Sequence, residues 1–119
     1  MLKNKNILIA IDNGIIALDI KKQLNEAGYK AEIINLANKE KIKKALTMDF
    51  HLIILEKSSH EDGLEYATNL VQSYNVPTIY LSTDVHTDKI DVSGFRILMM
   101  PFGENELKEV VKIALSENR

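Results

Sequence analysis

The chain has 119 residues, 45% hydrophobic and 27% charged, which is typical of a folded domain with one hydrophobic core. Its net charge of −2 argues against a nucleic-acid partner, and the absence of cysteine excludes disulfides and thiolate metal sites. No apolar run reaches the roughly 18 residues that a membrane span needs, so we expect a cytoplasmic protein with no membrane partner.

Strand-type and helix-type hydrophobic patterns alternate from the amino terminus onward. Residues 6–11 (NILIAI) form a nearly continuous β-branched run, as in a strand that is buried on both faces. Ile16, Ile20 and Leu24 follow at helical spacing. Gly28 comes directly after this pattern, and we expect it to end the helix in a left-handed conformation.

Three further strands are predicted in the middle of the chain, over residues 31–36, 50–55 and 76–81. The run at 31–36 (AEIINL) is short and mixed, which suits a strand near the edge of a sheet. Two helices are predicted between these strands, with Asn38 and Asp62 as their N-cap residues.

The last part of the chain repeats the alternation. A fifth strand is predicted over residues 95–100 (FRILMM). Before it, residues 84–94 contain few apolar side chains, so the fourth helix is predicted to be short or irregular. The final helix has the clearest period, with these residues on one face: Leu107, Val110, Val111, Ala114 and Leu115.

Five strand–helix units with buried strands predict an α/β fold of the flavodoxin-like (βα)5 type, a three-layer sandwich whose parallel sheet has the order 2-1-3-4-5. In such a sheet the functional site lies beyond the carboxyl ends of the strands. Asp12, Glu56, Ser82 and Met100 are the residues at those ends.

Four segments together resemble the receiver domain of two-component response regulators. ILIAIDN resembles the family's ILIVEDN, HLIILEKSSHEDGLE resembles DLIILDxxMPxxDGLE, VPTIYLSTD resembles IPxIxLTA, and RILMMPF resembles YLxKPF. The resemblance covers essentially the whole chain. It implies one receiver-like domain over residues 1–119, either by itself or as a fragment of a larger protein in phosphorelay signal transduction.

The resemblance also implies which residues occupy the family's phosphorylation site. In that family an aspartate at the end of the third strand accepts the phosphoryl group, two acidic residues hold Mg²⁺, and a Ser or Thr and a Lys bind the phosphoryl oxygens. Asp12 and Ser82 keep two of these positions in this chain, and Thr83 follows Ser82.

The remaining family positions are replaced. Ile11 stands where the first acidic residue is expected, Glu56 where the phosphoacceptor is, Met100 where the Lys is, and Ile97 where an aromatic switch residue is. A lost carboxylate weakens a Mg²⁺ site, and the longer glutamate displaces the reacting oxygen by about 1.5 Å when transfer tolerates about 1 Å. We therefore predict that the chain is not phosphorylated and has no cofactor. Mg²⁺ binding is disfavoured, with Asp12 as the weak candidate ligand and Glu56 as its only partner.

Glu56 has two interpretations: a permanent negative charge that imitates the phosphorylated state, or the remnant of an eroded site. The function expected from the resemblance is that of a non-enzymatic, atypical receiver. It would act by protein–protein contact with a kinase, an output domain or a second copy of the chain, through the fourth helix, fifth strand and fifth helix.

Two alternatives stay open. The first is a receiver that still transfers phosphate to a displaced acceptor, and the second is a flavodoxin-like module with a small-molecule pocket above Gly14 and Ser82. Two other clusters are interpreted as solvated surface. They are the lysines of residues 39–44 and the run His60, Glu61 and Asp62, in which consecutive side chains seldom converge on one metal ion.

Overall fold

The computed structural model describes residues 5–11, 14–34, 40, 50–56, 76–82, 95–100 and 102–117, and of Ser82, Phe95 and Glu117 it describes the backbone. Within these ranges the strands are β1 (Asn6–Ala10), β2 (Lys30–Ile34), β3 (Leu52–Glu56), β4 (Thr78–Ser82) and β5 (Phe95–Met99). The helices are α1 (Gly14–Glu26) and α2 (Glu104–Glu117). The predicted helices after Asn38 and Asp62 and the predicted irregular segment at 84–94 lie outside the described residues.

The five strands form one parallel sheet in the order β2-β1-β3-β4-β5, which confirms the predicted class and strand order. β1 pairs with both β2 and β3, so that Ile9 lies between Ile33 on one side and Ile54 on the other. None of the described helices is long and apolar enough to span a membrane.

One face of the sheet packs against both described helices. Most of the positions that the helical spacing predicts in α1 and α2 are buried, whereas Ile16 and Val110 are partly buried and Ala17 is buried next to Ile16. The core on this face is formed by Ile7, Ile9, Ile11, Ala17, Ile20, Leu24, Leu52, Ile54, Ile79, Leu81, Leu98, Leu107, Val111, Ala114 and Leu115.

The opposite face of the sheet is buried as well. Leu8, Ala10, Ile53, Leu55 and Tyr80 alternate with the core residues of the first face, and each is at most 1% exposed. A sheet that is buried on both faces is the middle layer of a three-layer sandwich. This burial explains why the central strands appear in the sequence as continuous apolar runs.

The turn between α1 and β2 ends the helix as predicted. Gly28 has a φ of 100°. Around it, the Gly28 amide donates to the Asn25 carbonyl and the Tyr29 amide donates to the Leu24 carbonyl, both at 3.1 Å, which is the Schellman pattern. The chain then enters β2, whose mixed burial fits the edge position that its short apolar run predicts.

β3 and β4 each begin and end later than the sequence predicts. Pro77 precedes β4 because proline has no N–H to donate to a ladder, and its carbonyl accepts from the Ile53 amide at 3.0 Å. β3 begins at Leu52 instead of Phe50. The later end of β3 makes Glu56 the last residue of a strand, where the prediction placed it in the following turn.

Candidate functional site

The carboxyl ends of the parallel strands meet along one edge of the sheet, which we call the carboxyl edge. Ile11 follows β1, Glu56 ends β3, Ser82 ends β4 and Met100 follows β5. Glu56 pairs with Leu81, directly before Ser82, and Ser82 pairs with Met99. The topology therefore brings the predicted positions to one place, although Asp12 and Thr83 lie outside the described residues.

Ile11 belongs to the hydrophobic core. It is 3% exposed and packs in the cluster formed by the sheet, α1 and α2. The pairing of Ala10 with Leu55 puts the next residues, Ile11 and Glu56, side by side. An ionised carboxylate at this position would have to be held away from water, which costs several kcal/mol without a counter-charge.

Met100 is packed in a similar way on the other side of Glu56. It is half-buried, and together with Phe102 it lies against the same core cluster. A thioether is an uncharged, polarisable side chain that fills irregular gaps, and it offers a phosphoryl group no positive charge. The lysine position of the resemblance is therefore occupied by a packing residue.

Ile97 lies in β5 and pairs with Tyr80 of β4. Strand alternation puts both residues on the face of the sheet opposite α1 and α2. Ile97 is half-buried, whereas Tyr80 is 1% exposed. An isoleucine here has no hydroxyl to exchange between buried and exposed hydrogen bonds, which is the chemistry that an aromatic switch such as tyrosine provides.

Glu56 is half-buried at the end of β3 and is the acidic member of the described positions at this edge. The ranges that the structure describes contain no group of three or more His, Cys, Asp or Glu side chains arranged to hold a metal ion. Mg²⁺ prefers several oxygen ligands, and Ile11 and Met100 supply none. At the described ends of β1, β3 and β5, Glu56 supplies a carboxylate, whereas the predicted metal ligand Asp12 lies outside the described residues.

The start of α2 adds carboxylates to the same end of the molecule. The Gly103 amide donates to the Glu106 Oε1 atom at 3.0 Å, so a side chain of the helix satisfies one of its free amino-terminal donors. Glu104 forms an ion pair with Lys108 at 3.1 Å. Both acids lie where the helix dipole stabilises negative charge, so the helix start is already compensated.

A pair of exposed apolar residues on α1 was not identified from the sequence. Ile15 and Leu18, in the first turns of α1, are 82% and 63% exposed. They lie three residues apart and outside the inward stripe of Ala17, Ile20 and Leu24, so they share a face that points away from the core. Apolar residues outside a helix's inward stripe are the signal that could have identified them.

No protein-family model matches the chain. Among curated proteins it is similar to the transcriptional regulatory protein PdtaR of Mycobacterium tuberculosis, with 26% identity over 122 residues. The alignment covers 97% of this chain and 58% of PdtaR. The chain therefore spans little more than half the length of the curated relatives it matches.

Solved structures give a more specific likeness. The receiver domain of the Francisella response regulator 1452 is 29% identical, with a TM-score of 0.79 and coverage of 98% of this chain and 100% of that one. The Thermotoga maritima response regulator TrrA, solved in complex with Mg²⁺ and BeF, is 26% identical with a TM-score of 0.76, over 92% of this chain and 98% of that one. In both fold and sequence the chain is therefore similar to the receiver domains of response regulators.

Proposed function

We propose that this chain is an atypical receiver domain that signals through protein–protein contacts and is not phosphorylated at its carboxyl edge. The observation that carries the proposal is the burial of Ile11, which puts an aliphatic core residue beside Glu56 in place of a metal-binding carboxylate. Without a divalent cation, the described side chains Ile11 and Met100 do not offset the charge that gathers on the phosphoryl oxygens during transfer.

The charges at the carboxyl edge support the same proposal. The charged side chains described at the end of β3 and the start of α2 include Glu56, Glu104 and Glu106, and Lys108 is paired with Glu104. Met100 contributes no charge. The unpaired charge among these described side chains is therefore negative, and negative charge disfavours the binding of a phosphoryl group.

A protein partner is favoured by the surface of α1. Large apolar side chains that lie next to one another on the surface often mark a site that binds another protein. Ile15 and Leu18 are more exposed than the other large apolar residues of the described ranges. The proposed partner is a kinase, an output domain or a second copy of the chain, and the location proposed with it is the cytoplasm.

The greater length of PdtaR suggests how this chain could be connected to an output domain. Since the chain matches 58% of that protein, we propose that it is one domain of a larger signalling protein, or that it meets its output domain as a separate chain. A role in transcriptional regulation, as in the name of PdtaR, would then reach this chain through that second part.

The proposal is tested by incubating the chain with acetyl phosphate and Mg²⁺ and measuring its intact mass. We expect an unchanged mass, whereas a receiver with the complete acidic set, treated in parallel, gains one phosphoryl group. The double variant Glu56→Asp with Met100→Lys is the matched comparison, because it restores two of the replaced positions and leaves the core residue Ile11 in place.

A phosphorylated wild-type chain would contradict the proposal. Peptide mapping would then locate the acceptor and distinguish Glu56 from a displaced residue. A second measurement follows the amide NMR signals of Glu56 and Ser82 during titration with Mg²⁺ and beryllofluoride. We expect no saturable shift, and saturation with either reagent would show that the carboxyl edge still binds a phosphoryl mimic or its metal.

A further inference from the structure

A histidine closes the opposite edge of the sheet, where β1 and β3 begin. The Asn6 backbone amide donates to the Nδ1 atom of His51 at 3.0 Å, and the His51 backbone amide donates to the Asn6 carbonyl at 2.9 Å. Both polar groups of the Asn6 backbone are thus bound by one residue that lies 45 positions away. We call this pair of hydrogen bonds the Asn6–His51 clasp.

The clasp follows from where the strands begin. In a parallel ladder the amide of a residue such as Asn6 bonds to a carbonyl of the neighbouring strand, but the ladder of β3 begins only at Leu52. The imidazole supplies the missing acceptor. On the other side of β1 the Lys30 amide donates to the Lys5 carbonyl at 2.9 Å, so the start of this strand is held from both sides.

A hydrogen bond from a backbone amide requires a lone pair on Nδ1. In the charged imidazolium both ring nitrogens carry a proton, so Nδ1 becomes a donor and can no longer accept. Protonation of His51 would therefore put two N–H groups against each other. It would also leave the Asn6 amide, which is partly buried, without this acceptor.

We propose that His51 is a proton-sensitive clasp, which holds the amino-terminal ends of β1 and β3 with two hydrogen bonds when its ring is neutral and with only the backbone bond when it is charged. The sign follows from the geometry. The stabilising bond is present at high pH and is lost as the pH falls through the range in which the ring gains its proton. This inference does not depend on the proposed signalling function.

The charged groups described beside the clasp do not account for the same response, and Asp49, two residues before His51, lies outside the described residues. In the described ranges they are Lys5, directly before Asn6, and Lys30, which pairs with Asn6. On the β4 side, Val76 and Pro77 carry no charge. Lysine side chains ordinarily titrate well above the range of about pH 5–8 in which histidine changes its charge. The other two histidines of the chain, His60 and His86, are handled by a control variant.

The test compares urea unfolding of the full chain at about pH 7.5 and about pH 5, a range that spans histidine protonation. His51→Asn is the matched variant, because its Oδ1 occupies nearly the position of Nδ1 and accepts without titrating in this range. We expect the unfolding equilibrium constant of the wild type to rise about fivefold more than that of His51→Asn between the two values. The double variant His60→Asn with His86→Asn should keep the response of the wild type.

NMR supplies a second readout at the clasp itself. As the pH falls, the Asn6 amide signal should move together with the protonation of the His51 ring, and in His51→Asn it should stay in place. His51→Asp, whose carboxylate also accepts, replaces His51→Asn if that variant does not fold. An equal pH response in wild type and variant, or an Asn6 signal that ignores the titration of the ring, would overturn the proposal.

Discussion

The two edges of this sheet use polar groups in opposite ways. At the carboxyl edge, where receivers of the family's usual pattern have charged side chains, this chain has Ile11 in the core and Met100 packed against it. At the amino edge, the polar atoms of Asn6 and His51 are joined in reciprocal hydrogen bonds. At the carboxyl edge these described side chains are held by apolar packing, whereas at the amino edge polar groups hold the strands in register.

The largest effect on stability is expected from Ile11→Asp, which puts an acidic side chain at the end of β1. Because Ile11 is 3% exposed, the variant loses buried aliphatic volume and buries a carboxylate, and we expect a loss of about 4 kcal/mol in the free energy of unfolding. Urea denaturation measures it. Ile113→Asp, at a position that is 40% exposed on α2, should cost less than about 1 kcal/mol.

A loss below about 1 kcal/mol in Ile11→Asp would show that the carboxyl edge still accommodates an acid, in contrast to the packing argument. Adding Mg²⁺ to the variant sharpens the result. Restored stability would mean that the new carboxylate recovers a metal site with its neighbours, and no change would mean that the remaining ligands are insufficient.

Gly28→Ala tests the turn that leads into β2 at the amino edge. A φ of 100° is strained for any residue with a Cβ atom, so we expect a loss of about 1–2 kcal/mol in the free energy of unfolding. Gly28→Asn is the control, since asparagine tolerates this conformation better than alanine does. Equal losses in the two variants would argue against backbone strain as the cause.

Thr78→Val tests a buried polar group at the start of β4. The Thr78 hydroxyl donates to the Val76 carbonyl at 3.1 Å and the residue is fully buried, so we expect the isosteric change to cost about 1 kcal/mol in thermal or urea unfolding. Thr78→Ser keeps the hydroxyl and controls for the bond. A neutral or stabilising Thr78→Val would remove this bond from the polar support of the amino edge.

The smallest effect is expected from Glu106→Ala at the start of α2. This change removes the acceptor of the Gly103 amide and a favourable charge at the helix terminus, and we expect a loss of about 0.5 kcal/mol. Glu106→Gln retains an oxygen acceptor without the charge. Comparing the two variants by urea unfolding at low and high salt separates the hydrogen bond from the dipole interaction, because salt screens only the latter.

The fold was predictable because its central strands are buried on both faces and therefore appear as continuous apolar runs. β1 and β3 are of this kind, and the edge strand β2 was distinguished by its mixed pattern. The boundaries were less accurate. Pro77 and Glu56 were assigned to the wrong sides of strand ends, since the backbone hydrogen bonds that define an end join residues far apart in the sequence.

The position of the candidate site was predictable for a topological reason. Parallel strands put their carboxyl ends on one edge, so the order 2-1-3-4-5 was enough to predict that Asp12, Glu56, Ser82 and Met100 would lie there. Glu56, Ser82 and Met100 do lie at that edge, and Asp12 lies outside the described residues. Their chemical roles stay predictions. The acceptor role of His51 was not predictable, because nothing local to it indicates that Asn6 lies alongside.

What the sequence determined by itself is the kind and order of the elements, because the spacing of apolar residues is a property of each short segment. It also determined which side chains occupy the carboxyl edge. Only the tertiary structure decided that Ile11 is buried in the core and that Met100 packs against this core. It also decided that the His51 ring completes the hydrogen bonding of β1 at the other edge. Burial and hydrogen bonding of this kind depend on which distant segments become neighbours, and that is settled only when the chain has folded.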